Sequence, residues 1–500
     1  MAAVVVSDRG CEDFGIRRTP AATSNERVEY CPRCWEFPQP LVRPTGRHNG
    51  PPALTTPPLS NQHLMPQQSL PSQLPISPVD HPISGRVRPP GSKSITNRAV
   101  ICAALARGTS RLTGVLDSDD TRVMVAGLMA LGFTIEADWP NHCLIVTGSG
   151  GQIPADTATI DCRASGTTMR FLAAVTSLGH GSYRLDGTSR MRQRPIGDLL
   201  VALRSLGIKA EAESPGECPP VTVTAAGVTT AAVTIAGNTS SQFASGLALA
   251  APCMPQGLSL ELAGTLVSTP YLTLTRRVME AFGGRCDLLD ERHWQIAATG
   301  YTASNYAIEP DASAASYFAA AAAITGGSVE ISGLGRDSLQ GDVAFCELLE
   351  QMGCRVRWPE HGSTTPAIEV SGGPLRGIDV DMNAVSDTVM TLAAVALFAD
   401  GPTTIRNVAH IRDKETDRIA DLTCELRRLG ATVEERSDGL TIVPAPLRPA
   451  AIETYDDHRM AMSLALVGLR SPGVTILDPA CVGKTFPDYW EALREITTGR

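Results

Sequence analysis

Leu128-Met129-Ala130-Leu131-Gly132-Phe133-Thr134-Ile135-Glu136-Ala137 reads as the last turn of a helix, a glycine turn and the start of a strand. Apolar residues three apart end the helix, and Gly132 suits the position just past it, where the backbone needs a positive φ. The signature returns at Leu203…Leu206-Gly207, Met279…Phe282-Gly283, Leu349…Met352-Gly353 and Leu426…Leu429-Gly430. The five glycines stand 70 to 77 residues apart. Coincidence among common helix ends is the competing explanation, and the near-constant spacing weighs against it. Strands are expected at 133–137, 208–212, 285–289, 354–358 and 431–435, and a helix at 489–496 closes a sixth unit. Six α/β units of similar length in 500 residues predict two domains of three units each.

Outward from the repeats, the Ala-rich runs 242–251 and 312–324 read as helices packed inside a domain, with Asp311 capping the second. Residues 1–83 read differently. From about Gln39 to Pro82, Pro, Gln, Ser and Thr dominate, which predicts a disordered extension unable to offset its ordering entropy. Gly85-Arg86-Val87-Arg88 is expected to begin the folded part.

The net charge of −9 argues against general nucleic-acid binding, and 5% aromatics argue against base-stacking surfaces. An anion site in such a chain must be a local cluster of cations. Thirteen cysteines, odd in number and irregular in spacing, point to a reducing compartment. Cys31 and Cys34 form one C-x-x-C, with zinc as a minority reading. There is no apolar run long enough to span a membrane, and the acidic N-terminus lacks the pattern of a secretory signal. A cytoplasmic protein is expected.

Pro89-Pro90-Gly91-Ser92-Lys93-Ser94-Ile95-Thr96-Asn97-Arg98 is a turn running into an apolar helical pattern. It sets Lys93 and free backbone N–H groups where an anion would sit, with Ser94 and Arg98 on one helix face. A capped helix with solvated charges explains the segment equally well. Further cations stand beside turns or helix starts: Arg190, Arg418, Arg459 and Lys484. Lys414-Glu415-Thr416-Asp417-Arg418 is expected to place Lys414 and Arg418 on one helical face. Each cluster alone is most simply a solvated face; together, in a net-acidic chain, they favour one convergent anionic site. Val482-Gly483-Lys484-Thr485 is no P-loop, because Asp478 stands where its first glycine belongs and Pro479 lies within.

In order, PGSKSITNRA (90–99), DSDDT (117–121), ASGTTMRF (164–171), GTSRMRQRPIG (187–197), SSQFASG (240–246), KETDR (414–418), DDHRMAM (456–462) and GKTFPDYW (483–490) resemble the EPSP synthase family. The resemblance runs from about Gly85 to the C-terminus. It implies an enolpyruvyl transferase-like α/β fold of two domains, each of three repeated units, around an inter-domain cleft. The first domain would be discontinuous, 84–91 plus 310–500, and the second 92–309, with crossovers near Gly91 and Glu309. It implies transfer of the enolpyruvyl group of phosphoenolpyruvate to shikimate 3-phosphate, on the route to chorismate and the aromatic amino acids. The partners would be these two small molecules, with no nucleic acid, membrane, metal or organic cofactor, and the protein would act as a monomer.

Carried over by position, Lys93, Ser94, Arg98, Ser240, Ser241, Gln242, Ser268, Asp387, His410 and Lys414 would bind shikimate 3-phosphate, with Tyr271 nearby. Lys93, Gly166, Arg190, Arg418, Arg459 and Lys484 would enclose phosphoenolpyruvate. Asp387, Glu415 and Lys93 would be catalytic, the two carboxylates handling protons. The competing reading makes Asp387 the N-cap of a helix over 388–398 and Glu415 a surface ion pair. Three positions depart from the family pattern: Ala164 and His410 where Asn is common, and Phe171 where Pro occurs. Glyphosate competition with phosphoenolpyruvate is expected for the family, and Gly166 leaves the usual room for it, but Ala164 and Phe171 leave sensitivity open. A sister enolpyruvyl transferase acting on UDP-N-acetylglucosamine is the nearest rival; it typically carries a loop cysteine that has no match here. A binding-only descendant is the rival of a different class.

Overall fold

The computed structural model describes residues 70–359 and 366–499, which lie within one compact unit, Pro66–Arg500. Cys31 and Cys34, and most of the expected disordered extension, fall outside the described residues.

All five repeat glycines adopt the positive φ that the spacing requires: 90° at Gly132, 86° at Gly207, 81° at Gly283, 114° at Gly353 and 112° at Gly430. The strands that follow are Thr134–Asp138, Lys209–Ser214, Cys286–Leu288, Arg355–Arg357 and Thr432–Arg436. Each pairs antiparallel with the next strand in a hairpin. That second hairpin strand pairs antiparallel with an earlier strand, whose other edge takes a parallel neighbour. One sheet pattern thus recurs five times, with a helix entering each hairpin. Tyr489–Thr498 supplies the expected last helix.

The sixth sheet corrects the sequence reading. Ala450–Ile452 runs parallel to Val474–Leu477, and the third strand is Gln73–Pro75, antiparallel to Val474–Leu477. Residues 70–83 therefore belong to the fold. Ile76 packs against Gly468 and Ile83 is buried. Pro- and Ser-rich composition hid a strand of only three residues, whose hydrogen bonds and few apolar side chains serve one edge.

Buried apolar residues form two clusters. One joins Ile83 and Val87 to residues from Ala312 to Ile496; the other runs from Ile95 to Ile308. The chain passes between them at two places, side by side. Gly91 bridges Pro310, Ser92 N–H donates to Glu309 O at 2.9 Å, and Asp311 N–H donates to Pro90 O at 2.8 Å. Gln340 staples the pair, accepting from Ser92 Oγ and Ala312 N and donating to Glu309 and Pro310 O. The Ala-rich helix Ala312–Thr325 is buried along its whole length, and Asp311 caps it through Ala314 N. Among the described residues no helix is long and apolar enough to cross a membrane.

Candidate active site

Ser92 caps the helix Lys93–Leu105, its Oγ accepting from Ile95 N. Lys93 N–H is not left for a ligand, because it donates to Asp311 Oδ2 at 3.1 Å. The Lys93 ammonium lies 3.3 Å from Asp120 Oδ2. Ser94 faces a small cavity shared with Tyr271, Ser313 and Asp342. Arg98 is only 2% exposed, and its guanidinium bonds Thr275 Oγ1, Ser94 O, Ser245 Oγ and Tyr271 O. Phe171, fully buried, lies 5.0 Å beneath it. Arg98 thus braces the backbone of Ser94 and Tyr271 from behind; burial lowers its pKa to about 10, which leaves it charged at neutral pH.

Two helix starts on the first cluster meet at Asp457. Asp417 caps Arg418–Arg428 through Ile419 N and Ala420 N, which puts Arg418 at the first helical position. Lys414 lies in the loop before it, just past the short helix Ala409–Asp413, so Lys414 and Arg418 do not share a helical face. Asp457 caps His458–Gly468 through Arg459 N and also takes Arg418 Nε at 2.7 Å. The rest of the Arg418 guanidinium reaches Glu415 Oε2 at 3.0 Å and Asp387 Oδ1 at 3.3 Å. Arg459 Nη2 reaches Asp387 Oδ2 at 2.7 Å. Asp387 is no N-cap: it sits in the short turn Asn383–Thr388, and Thr388 precedes the helix Val389–Ala396. Its carboxylate is therefore free to meet both arginines.

Burial would raise the pKa of Asp387, but Arg459, Lys414, Arg418 and Lys93 outweigh it and hold the carboxyl well below the usual range. Glu415 follows the same pattern: Arg418, Lys484 and Arg194 overcome its burial and keep it ionised. Lys414 loses more by burial than Asp387 returns, and its pKa falls to about 8.

Ser240 caps Ser241–Ala250 through Gln242 N. The Gln242 amide links Arg170 Nη1, at 2.6 Å, to Thr167 Oγ1, at 3.2 Å. Ser268 adopts a left-handed backbone, φ 52°, and its Oγ lies 3.2 Å from His410 Nε2, which is 2.9 Å from Ser386 Oγ. Burial and then Lys414 push the His410 pKa down to about 4, so its imidazole is neutral at pH 7.

Gly166 opens the helix Gly166–Val175. A Cβ built there would lie 2.7 Å from Arg194 Nη2. Arg194 is 5% exposed, and its Nε has no protein partner among the described residues. Arg190, the residue expected at this place, instead donates to the carbonyls of Glu415, at 3.0 Å, and Lys414, at 3.1 Å. The geometry thus puts Arg194 in the pocket and Arg190 on the loop that carries the Lys414–Glu415 pair. Lys484 closes the group, 2.8 Å from Ala164 O, 3.5 Å from Asp120 and 3.6 Å from Glu415.

Sequence reasoning missed Arg194, Arg170, Asp120 and Asp342. GTSRMRQRPIG holds three arginines at alternate positions, and nothing local says which points inward. Arg192 spends itself on Asp186. Nothing in the local sequence sets Arg170, Asp120 and Asp342 apart from surface charges, and the fold buries all three.

Residues 79–493 match the family model of EPSP synthase (3-phosphoshikimate 1-carboxyvinyltransferase). A 3-phosphoshikimate 1-carboxyvinyltransferase of Nostoc punctiforme is 46% identical over 417 residues, 83% of this chain and 97% of that protein. A chloroplastic 3-phosphoshikimate 1-carboxyvinyltransferase of Brassica napus is 46% identical over 444 residues, 85% of each chain. Among solved structures, EPSP synthase from Acinetobacter baumannii superposes with a TM-score of 0.71 at 26% identity, covering 85% of this chain and 98% of that one.

Proposed function

The chain belongs to the EPSP synthase family, and from that premise we propose how its site works. The enzyme transfers the enolpyruvyl group of phosphoenolpyruvate to the 5-hydroxyl of shikimate 3-phosphate, giving 5-enolpyruvylshikimate 3-phosphate and phosphate. In the first half, the C5 oxygen attacks C2 of phosphoenolpyruvate while C3 gains a proton. In the second half, the tetrahedral intermediate loses phosphate and a C3 proton. Asp387 takes the proton of the 5-hydroxyl. Glu415 gives a proton to C3 and takes one back, and Lys93 assists the departing phosphate.

Arg194, Arg418, Arg459 and Lys484 hold phosphoenolpyruvate, with the bare Gly166 leaving it room. Ser94, Ser240, Ser241, Gln242, Ser268, His410 and Lys414 hold shikimate 3-phosphate. Arg98 and Arg190 hold the backbone beneath these contacts. Arg418 and Arg459 neutralise the protein's own carboxylates, Asp387 and Glu415. Incoming phosphates and a carboxylate compete for the same cations, so Asp387 and Glu415 lose part of what keeps their pKa values low. Substrate binding thereby turns an ion-pair network into an acid–base pair, within donors already fixed in place.

The observation that carries this reading is Arg418, whose one guanidinium meets Asp387, Glu415 and Asp457. It sets the two proton-transfer carboxylates on either side of a common charge. The two apolar clusters and the edge strand Gln73–Pro75 support a division into domains 70–91 plus 310–499 and 92–309, which moves the expected start of the first domain from 84 to 70. Asp387→Ala and Glu415→Gln should each lower turnover by about 10²-fold or more in a phosphate-release assay with both substrates. Turnover near that of the unmodified enzyme in both variants would contradict the assignment.

A further inference from the structure

The Tyr271 hydroxyl lies between two carboxylates. Its Oη is 3.1 Å from Asp387 Oδ2 and 3.2 Å from Asp342 Oδ2. A phenol has one proton and can donate to only one of them. The second contact is a hydrogen bond only if the other carboxyl brings a proton of its own. Asp387 is bonded to two arginines and is the anion. Asp342 is 4% exposed, and Arg459, the cation that acts on it, spends its direct bond on Asp387. The Ser313 hydroxyl and the Tyr271 hydroxyl both meet Asp342 Oδ2; with a carboxyl proton on that oxygen turned to Tyr271, Ser313 donates to its remaining lone pair.

Resting on the assignment of Asp387 as the base, we propose that Asp342 is a positioning residue for it. Asp342 carries a proton and donates to Tyr271 Oη, and Tyr271 donates to Asp387 Oδ2. This relay of donors fixes the rotation of the Asp387 carboxylate and keeps it ready to accept the substrate proton. When Asp342 ionises, the single phenol proton is contested by two anions, and Asp387 loses its fixed donor.

The groups facing Asp342 set where that happens. Asp387 lies on the turn Asn383–Thr388, Tyr271 on the helix Thr269–Ala281, Arg459 on His458–Gly468, and Asp311 at the cap of Ala312–Thr325. Burial, then the Asp387 charge, push the Asp342 carboxyl up to about 7, with Ser313 and Arg459 pulling the other way. A second, separate alkaline change belongs to Lys414, near 8.

The test is the pH profile of kcat/KM, which reports groups of the free enzyme. With the unmodified enzyme, kcat/KM should fall at least about threefold between pH 6 and pH 7.5. Asp342→Asn, with its amide nitrogen in the place of Oδ2, keeps a donor towards Tyr271 at every pH and makes Ser313 the acceptor of its second N–H. It should retain neutral activity within about threefold and lose the limb near 7, keeping only the later one. Tyr271→Phe should lose the same limb and much of the rate. A limb near 7 that survives in Asp342→Asn, or a folded Asp342→Asn that is inactive at all pH values, would overturn the proposal. Asp387→Asn is assayed in parallel. If it stays active, the base assignment fails and this inference with it; if it is inactive while Asp342→Asn keeps the limb, this inference alone fails.

Discussion

Arg190 and Arg194 stand one helical turn apart and do different work. Arg190 holds two backbone carbonyls of the loop that carries Lys414 and Glu415. Arg194 lies against Gly166 with a guanidinium nitrogen still unpaired. Charge-assisted hydrogen bonds of this kind are worth about 1.5–3 kcal/mol. Arg194→Ala should therefore raise the KM for phosphoenolpyruvate about tenfold or more and leave that for shikimate 3-phosphate nearly unchanged. Arg190→Ala should lower kcat through the loop. Steady-state kinetics with each substrate varied in turn separates the two, and a phosphoenolpyruvate defect confined to Arg190→Ala would restore the original assignment. The motif was legible; the choice within it was not, because alternate arginines are chemically equal until a backbone gives each a direction. Asp387 and Glu415 were legible only through resemblance, since an acid beside a helix start is an ordinary cap or surface charge by spacing alone.

Among elements, the glycine turns were the clearest signal, because a residue past a helix end that must take positive φ leaves little choice but glycine. Gly353 and Gly430 show it most plainly. At Gly353 a Cβ would also lie 2.3 Å from Pro374 O, a backbone atom with no rotamer to escape into. Gly353→Ala should destabilise the protein by about 1–3 kcal/mol, read as a lower urea midpoint with an unchanged slope. An unchanged midpoint would mean the turn is not under that constraint. The strand Gln73–Pro75 escaped notice for the opposite reason. It is short and proline-bounded, and its partner Val474–Leu477 lies some four hundred residues away in sequence, so nothing local marks it. The bends at 414–416 were misread as helix from the four-residue spacing alone; Asp417 capping the helix at Arg418 decides it.

At the scale of the whole molecule, the site is assembled from both apolar clusters, tied by Arg190 to the 414–415 carbonyls, Lys484 to Ala164 O and Tyr271 to Asp387. Among the described residues the chain itself crosses between the two clusters at two places, the paired passages at Gly91 and Pro310, stapled by Gln340. Such a connection allows one cluster to move against the other, and the intermediate needs water kept out. Small-angle scattering should show a smaller radius of gyration when shikimate 3-phosphate is added; an unchanged radius would count against closure. The central claim is acceptor-dependent enolpyruvyl transfer, and the most direct measurement is phosphate release from phosphoenolpyruvate with shikimate 3-phosphate, without any acceptor, and with UDP-N-acetylglucosamine. Release that requires shikimate 3-phosphate is the expected result. Release only with the sugar nucleotide, or with neither acceptor, would contradict it.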